Sequence, residues 1–349
     1  MKPVRDTSRP FPPSNSRKFV HSVNTLGLDR LSFTFAIRDF DSNVQSWNSV
    51  TISPRNGEEI RRYSGLIDGQ TSGSKIHLSV VENPFRGVVL GRVEFNPSRH
   101  IDPEGWRLVG VQEGLSVVPA VWQCAGELVK PATALDDAHL TRLDLAKDFE
   151  FGSGLSRHLD AMSRVSRTFA SRNATYHDNQ NNGAQTFICA NTVGAVRMYD
   201  KNGENDEAPE GTLRVEVQAR SKWLERYGQL RSVSEANDPQ LLAGLAQNRT
   251  KWAKVGLSVV SELKAAELVA QSSIPSRSKG QFLIWLLTGQ SLGSRATAVK
   301  YRRWQEQLGV AVSGDTLIEE VVRVDFESGR VLRGGVEVVR SLSAVRSVA

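Results

Sequence analysis

The chain has 349 residues, 39% hydrophobic and 23% charged. At roughly 100–200 residues per domain that leaves room for two packed domains. Lys and Arg number 44 against 38 Asp and Glu, so the formal charge is +6, mildly basic rather than polycationic. Two cysteines (Cys124 and Cys189), the lack of an apolar run near ~20 residues and an N-terminus without an apolar core argue against a disulfide scaffold, a zinc site, a membrane span and a secretory signal. The expectation is a cytoplasmic protein with no membrane partner.

Residues 1–20 hold four prolines and little apolar periodicity, which predicts a flexible basic arm. The region 21–232 is strand-rich. Leu31–Ile37, Val88–Phe95, Gly194–Tyr199 and Thr212–Ala219 alternate with period two, and helices are expected at Gly154–Arg167 and Ser221–Leu230. From 233 to 275 the period lengthens. Leu241, Leu245, Trp252, Val255, Val259 and Leu263 predict a helical connector, and Ser272–Gly280 has the composition of a linker. The last part, 276–349, offers an apolar helix (Gln281–Thr288) and a basic helix (Ser294–Gln307). Two strands follow, Ile318–Phe326 and Arg330–Val339, around a Glu327-Ser-Gly-Arg turn. That is the order of a winged helix-turn-helix. The predicted class is α+β: an antiparallel-sheet domain with helices on one side, followed by a helical, winged helix-turn-helix-like C-terminal region.

Alternation places Asp144 with Arg142 on one strand face, and Glu216 with Arg214 and Gln218 on one face of another. One acid on each of two neighbouring strands is a way to hold a hard divalent cation. The plainer alternative is a half-exposed strand whose Arg and acid pair. Tyr199, Lys201 and Glu204 form a Tyr-x-Lys-x-x-Glu run at a strand end. Tyrosine, with an ordinary pKa of about 10, attacks phosphorus only when its charge is stabilised by a neighbouring cation or a metal. An ordinary strand-end tyrosine before an Asn-Gly turn fits that run equally well. No His-x-His pair, phosphate-binding glycine loop or Ser-His-Asp grouping exists, so any metal would be carboxylate-held Mg²⁺ or Mn²⁺. Between Leu268 and Gln305 lie six Lys or Arg residues and no acid. Of these, Arg295, Lys300, Arg302 and Arg303 sit on the basic helix beside Tyr301 and Trp304, a candidate for the DNA groove.

In order along 28–310 the chain resembles the gene II type replication initiators of filamentous phages, the rolling-circle initiation factors, and in part the initiators of small plasmids. The resemblance rests on Leu28-Asp-Arg-Leu-Ser-Phe-Thr-Phe35, Arg92-Val-Glu-Phe-Asn-Pro97, Thr141-Arg-Leu-Asp-Leu-Ala146, Val196–Glu204, Gly211–Arg220 with Trp223–Gly228, and Lys300–Val310. It implies a DNA nicking-closing enzyme that cuts one strand of an origin, keeps its 5′ end as a phosphotyrosine and later rejoins it. It implies Tyr199 as nucleophile, Lys201 as charge stabiliser, Asp144 and Glu216 as Mg²⁺ or Mn²⁺ ligands, and Glu204 as a further acid of that site. Phage or plasmid origin DNA, duplex and single-stranded, is the implied partner, with host helicase and polymerase beside it in a bacterial cytoplasm. Region 21–232 would be catalytic and 276–349 would read the origin. Two other readings stand beside this one. A relaxase or transposase would use the same tyrosine, and a non-enzymatic DNA-binding regulator would use only the basic helix.

Overall fold

The structure, a computed structural model, describes residues 26–42, 47–52, 60–69, 74–83, 87–102, 106–169, 175–178, 186–289, 294–313 and 321–334. The arm at 1–20 and the expected strand ends at 318–320 and 335–339 lie outside the described residues. The strands are β1 (Gly27–Phe40), β2 (Asn48–Ile52), β3 (Ile60–Asp68), β4 (Lys75–Asn83), β5 (Val88–Phe95), β6 (Val129–Pro131), β7 (His139–Glu150), β8 (Thr175–Asp178), β9 (Thr186–Asn191), β10 (Gly194–Asp200), β11 (Thr212–Arg220), β12 (Ser258–Val260), β13 (Val310–Val312), β14 (Val321–Asp325) and β15 (Arg330–Gly334). The helices are α1 (Pro97–Ile101), α2 (Val111–Ser116), α3 (Val118–Leu128), α4 (Leu155–Phe169), α5 (Lys201–Glu204), α6 (Ser221–Trp223), α7 (Pro239–Trp252), α8 (Glu262–Gln271), α9 (Ser276–Thr288) and α10 (Arg295–Leu308).

Eleven of the described strands form one sheet, ordered β2-β3-β4-β5-β1-β7-β11-β10-β9-β8, with β6 paired to the end of β1. Its pairings are antiparallel throughout. The fold is α+β. Period-two alternation gives the sheet two unlike faces. On one, Leu31, Phe33, Phe35, Val196 and Met198 are buried. Helices cover that face: Trp122 of α3 packs edge-on to Phe35 with centroids 4.7 Å apart, and α4 packs against β9 and β10. The opposite face carries the polar residues of β1, β5, β7, β10 and β11.

Beyond residue 238 the expected connector resolves into parts with different partners. Asp238 caps α7, its carboxylate accepting from the N–H groups of Gln240 (2.9 Å) and Leu241 (3.1 Å). Leu242, Leu245 and Ala246 of α7 join the core of the large sheet. Ala265, Leu268 and Val269 of α8 instead join a second core with Phe282, Trp285 and Tyr301. Between the two helices the assumption of helical spacing fails. Val259, counted among the helical positions, lies on β12, which pairs in parallel with β13. Three residues are too few for periodicity to reveal a strand that exists only because Val310–Val312 lies beside it. The linker reading of Ser272–Gly280 also fails in its second half, since α9 begins at Ser276. Exposed polar residues open that helix, and its apolar face starts only at Phe282.

The two helices are followed by a hairpin as expected, the turn at 290–293 lying outside the described residues, but the hairpin turns back. Its strand β14 pairs with β12, and Phe326 packs on Phe149 at 6.1 Å. Lys147, buried in the large sheet, donates to the carbonyls of Phe326 (3.0 Å) and Glu327 (3.3 Å). Burial lowers the Lys147 pKa, and the two carbonyls take the hydrogen bonds that water would otherwise supply. At the turn the Asp325 carboxylate accepts from Glu327 N–H at 3.1 Å, and Gly329 takes φ +71°, a conformation that costs glycine nothing. The hairpin thus straps the C-terminal region to the sheet.

Candidate functional site

Five residues from four segments meet on the open face of the large sheet. Asp144, Tyr199, Lys201, Glu204 and Glu216 all line one cavity of about 410 Å³. Register explains the meeting. β11 lies between β7 and β10, with Gln218 opposite Asp144, Glu216 opposite Arg197, and Arg214 opposite Tyr199. Residues of like parity then share the face, as in any pleated sheet. Just after β10 the Asp200 side chain accepts from Asn202 N–H (3.0 Å) and starts α5, which brings Lys201 and Glu204 to the rim. On the far side Asn96 accepts from Arg99 N–H at 3.3 Å and starts α1.

Tyr199 is buried, and its hydroxyl donates to Glu216 Oε1. Burial, then the neighbouring Glu216 charge, pushes the Tyr199 pKa well above 10. Glu216 is pushed up to about 7, first by burial and then by the charge of Asp29. Asp144 is raised by burial, which outweighs the opposing hydrogen bond from Arg142. Arg142 holds Asp144 through Nη2–Oδ2 (2.5 Å) and Nε–Oδ1 (2.9 Å). Lys201 pairs with Glu204, and its Nζ lies 5.8 Å from the Tyr199 ring centroid. At rest the tyrosine is therefore a protonated donor beside a carboxylate that titrates near neutrality. That pairing suits proton abstraction from Tyr199 by Glu216.

Sequence reasoning missed Asp29. Counting by twos from Leu31, Phe33 and Phe35 sends Asp29 into the core. A register shift between Leu28 and Arg30 breaks the count, so Asp29 and Arg30 both line the cavity. Its carboxylate lies 3.7 Å from Arg214, which is almost fully buried and held bidentately by Asp148 at 2.6 and 2.7 Å. Arg214 thus pairs with β7 and not with Glu216. Glu94 was also missed; only the β1–β5 pairing carries it to the site.

Among the described residues no group of three or more His, Cys, Asp or Glu side chains is gathered closely enough to cage a metal by itself. The donor set does suit a hard cation that keeps part of its own shell. The Asp29 charge helps to raise the pKa of Asp144, and Asp29 and Asp144 both help to raise that of Glu216; a divalent ion would relieve that repulsion. Two carboxylates plus water and phosphate oxygens are a usual Mg²⁺ shell.

The second charged region is α10, capped by Ser294, whose Oγ accepts from Thr297 N–H at 3.4 Å. Arg295, Lys300 and Arg303 line a shallow depression with Val299, Trp304 and Gln307. Arg302 is not among its lining residues. Lys300 Nζ lies 4.5 Å from the Trp304 ring centroid, and Tyr301 is a core residue packed on Phe282 and Trp285.

Fold and site together define an α+β protein with a buried tyrosine–glutamate pair in a charged cavity on an open sheet face. No family model and no curated protein matches the chain. Among solved structures, a rolling circle replication initiator protein from Geobacillus stearothermophilus is 15% identical over 73% of this chain and 90% of its own, with a TM-score of 0.31. The di-domain ARO/CYC protein StfQ of the steffimycin biosynthetic pathway is 12% identical over 64% and 95%, with a TM-score of 0.18. At those scores neither likeness carries an argument about this chain. Among the described residues no helix is long and apolar enough to cross a membrane.

Proposed function

We propose that the chain initiates rolling-circle replication of a phage or plasmid, nicking one strand of the origin and rejoining it through a 5′-phosphotyrosine on Tyr199. The observation that carries this reading is the buried Tyr199–Glu216 hydrogen bond in a cavity that also holds Asp144, Lys201 and Glu204. Glu216 takes the phenolic proton as Tyr199 Oη attacks phosphorus, and the strand's 3′ oxygen leaves. Lys201 and Arg197, both lining the cavity, offset charge on the phosphorane oxygens. Asp144 and Glu216, with Asp29 beside them, would hold Mg²⁺ or Mn²⁺, which when bound supplies charge neutralisation on the phosphate. The phosphotyrosine conserves the bond energy, so rejoining needs no nucleotide. Origin DNA, duplex and single-stranded, is the partner; helicase and polymerase would act on the strand it opens.

The test is incubation with a supercoiled plasmid carrying the element's own intergenic DNA and Mg²⁺. The expected result is a nicked circle with protein attached to its 5′ end, and no adduct from Tyr199→Phe. An adduct that persists in that variant means another nucleophile. Binding without any nick supports a regulator that works through α10 alone.

A further inference from the structure

On the open sheet face, next to the cavity, three arginines from three strands converge on one carboxylate. Glu94 of β5 accepts from Arg30 of β1 (3.2 Å), Arg92 of β5 (2.8 Å) and Arg142 of β7 (3.1 Å). Arg92 Nε also donates to Ser32 Oγ at 2.9 Å. Arg142 is 17% exposed and spends its remaining fork on Asp144, whereas Arg30 and Arg92 are 42% and 44% exposed. Three guanidiniums bring about fifteen N–H donors to about four acceptor sites on Glu94. With Asp144 and Asp29 counted, three positive charges face three negative ones, so what the cluster has to spare is hydrogen-bond donors. It is held rigid by its central acid, yet Arg30 and Arg92, its two more exposed members, keep unused N–H groups for a further anion.

We propose that Arg30 and Arg92 bind a backbone phosphate of the DNA strand some nucleotides away from the one at Tyr199, so that the strand runs from the cavity across β1 and β5. The proposal rests on the reading of the cavity as a strand-cleavage site. Arg30 lines that cavity and Arg92 continues the row beyond it, so the two surfaces are continuous. A guanidinium fork matches two phosphate oxygens at once. The occupant is a single strand rather than a duplex because of the neighbours. In register with Glu94 lie His77 and then Leu66, and both line the cavity. Leu66 is 63% exposed, an apolar surface against which the face of an unpaired base can pack and that of a base paired inside a duplex cannot.

The experiment measures binding of fluorescent oligothymidylate to the full chain carrying Tyr199→Phe, across a series of salt concentrations. Arg30→Ala and Arg92→Ala should each weaken binding about tenfold and lower the slope of log K against log salt by about 0.7, the share of one single-strand phosphate. Arg92→Lys should recover the slope but not the full affinity, since it restores charge without the fork. Binding of a duplex of equal length should change by less than twofold. Folded Arg→Ala variants with unchanged affinity and slope overturn the proposal, and so does an equal loss on duplex. If the unmutated chain forms no adduct while these losses appear, the phosphotyrosine reading fails and the phosphate site stands. If adducts form normally and the arginine variants bind like the parent, the reverse holds.

Discussion

The sheet cavity and helix α10 are both rich in cations, yet they treat charge in opposite ways. In the cavity charges are paired and part of them is buried, Arg142 with Asp144 and Lys201 with Glu204, and on the same sheet face the buried Arg214 pairs with Asp148. Burial there raises Asp144, Glu216 and Tyr199 together. On α10, Arg295, Lys300 and Arg303 are exposed, and no acid lies among them. Buried, compensated charge is costly to disturb and specific in what it does, whereas exposed charge attracts any polyanion and is screened by salt. Substitutions in the first region should act as all-or-none changes and those in the second as graded ones.

The largest effect is expected from Asp144→Asn and Glu216→Gln. Each should lower Mg²⁺-dependent nicking at least about a hundredfold, because each removes an anionic oxygen at the reacting centre. Both are near-isosteric and remove a charge that burial disfavours, so thermal unfolding should show the fold retained. Nicking at the parental rate would assign the residue to the architecture alone.

Next comes the buried Arg214–Asp148 pair on the same sheet face. Asp148→Ala strands the buried Arg214 guanidinium, and a loss of about 3–5 kcal/mol is expected in urea unfolding. A loss below about 1 kcal/mol would show that the Trp106 carbonyl, 2.9 Å from Arg214 Nη2, and Asp29 suffice.

His158 of α4 lies behind the sheet, and neither ring nitrogen has a hydrogen-bond partner among the described residues. Burial, and secondarily Arg333, depresses its pKa from 6.5 to about 4. The folded state thus binds fewer protons than the unfolded one between those values. Stability should be full above pH 6.5 and decline as the pH falls toward 4, by up to about 3 kcal/mol. His158→Leu should flatten that part of the pH–stability curve. An unchanged slope would show that His158 is not the group responsible, because the raised pKa values of Asp144 and Glu216 push stability the opposite way as the pH falls.

The smallest effects belong to α10. Arg295→Ala should cost about 1–3 kcal/mol on the cognate origin and blur sequence preference. Lys300→Ala should weaken all duplexes alike and lower the salt slope by about one. Equal binding of origin and random duplex by the parent chain would make α10 an electrostatic anchor only.

Alternation in the sequence was enough to put Asp144 and Glu216 on the strand faces opposite the apolar ones, since the period of a strand is local geometry. Periodicity and composition likewise outlined α7, α10 and the apolar part of α9. What period counting misassigned were Asp29 and Val259. The first depends on a bulge that breaks parity, and the second on a three-residue strand created by its distant neighbour. Nothing local could announce that Glu94 gathers arginines from β1 and β7, or that Arg214 answers Asp148 rather than Glu216. Nor could it reveal that the C-terminal hairpin turns back to cap Lys147. Those are choices of partner across 48 to 180 positions of sequence. The sequence by itself determined which residues have the chemistry and which way each strand presents them. Only the tertiary structure decided which charges neutralise one another, because pairing energy depends on distance and burial, and both are set by strand order.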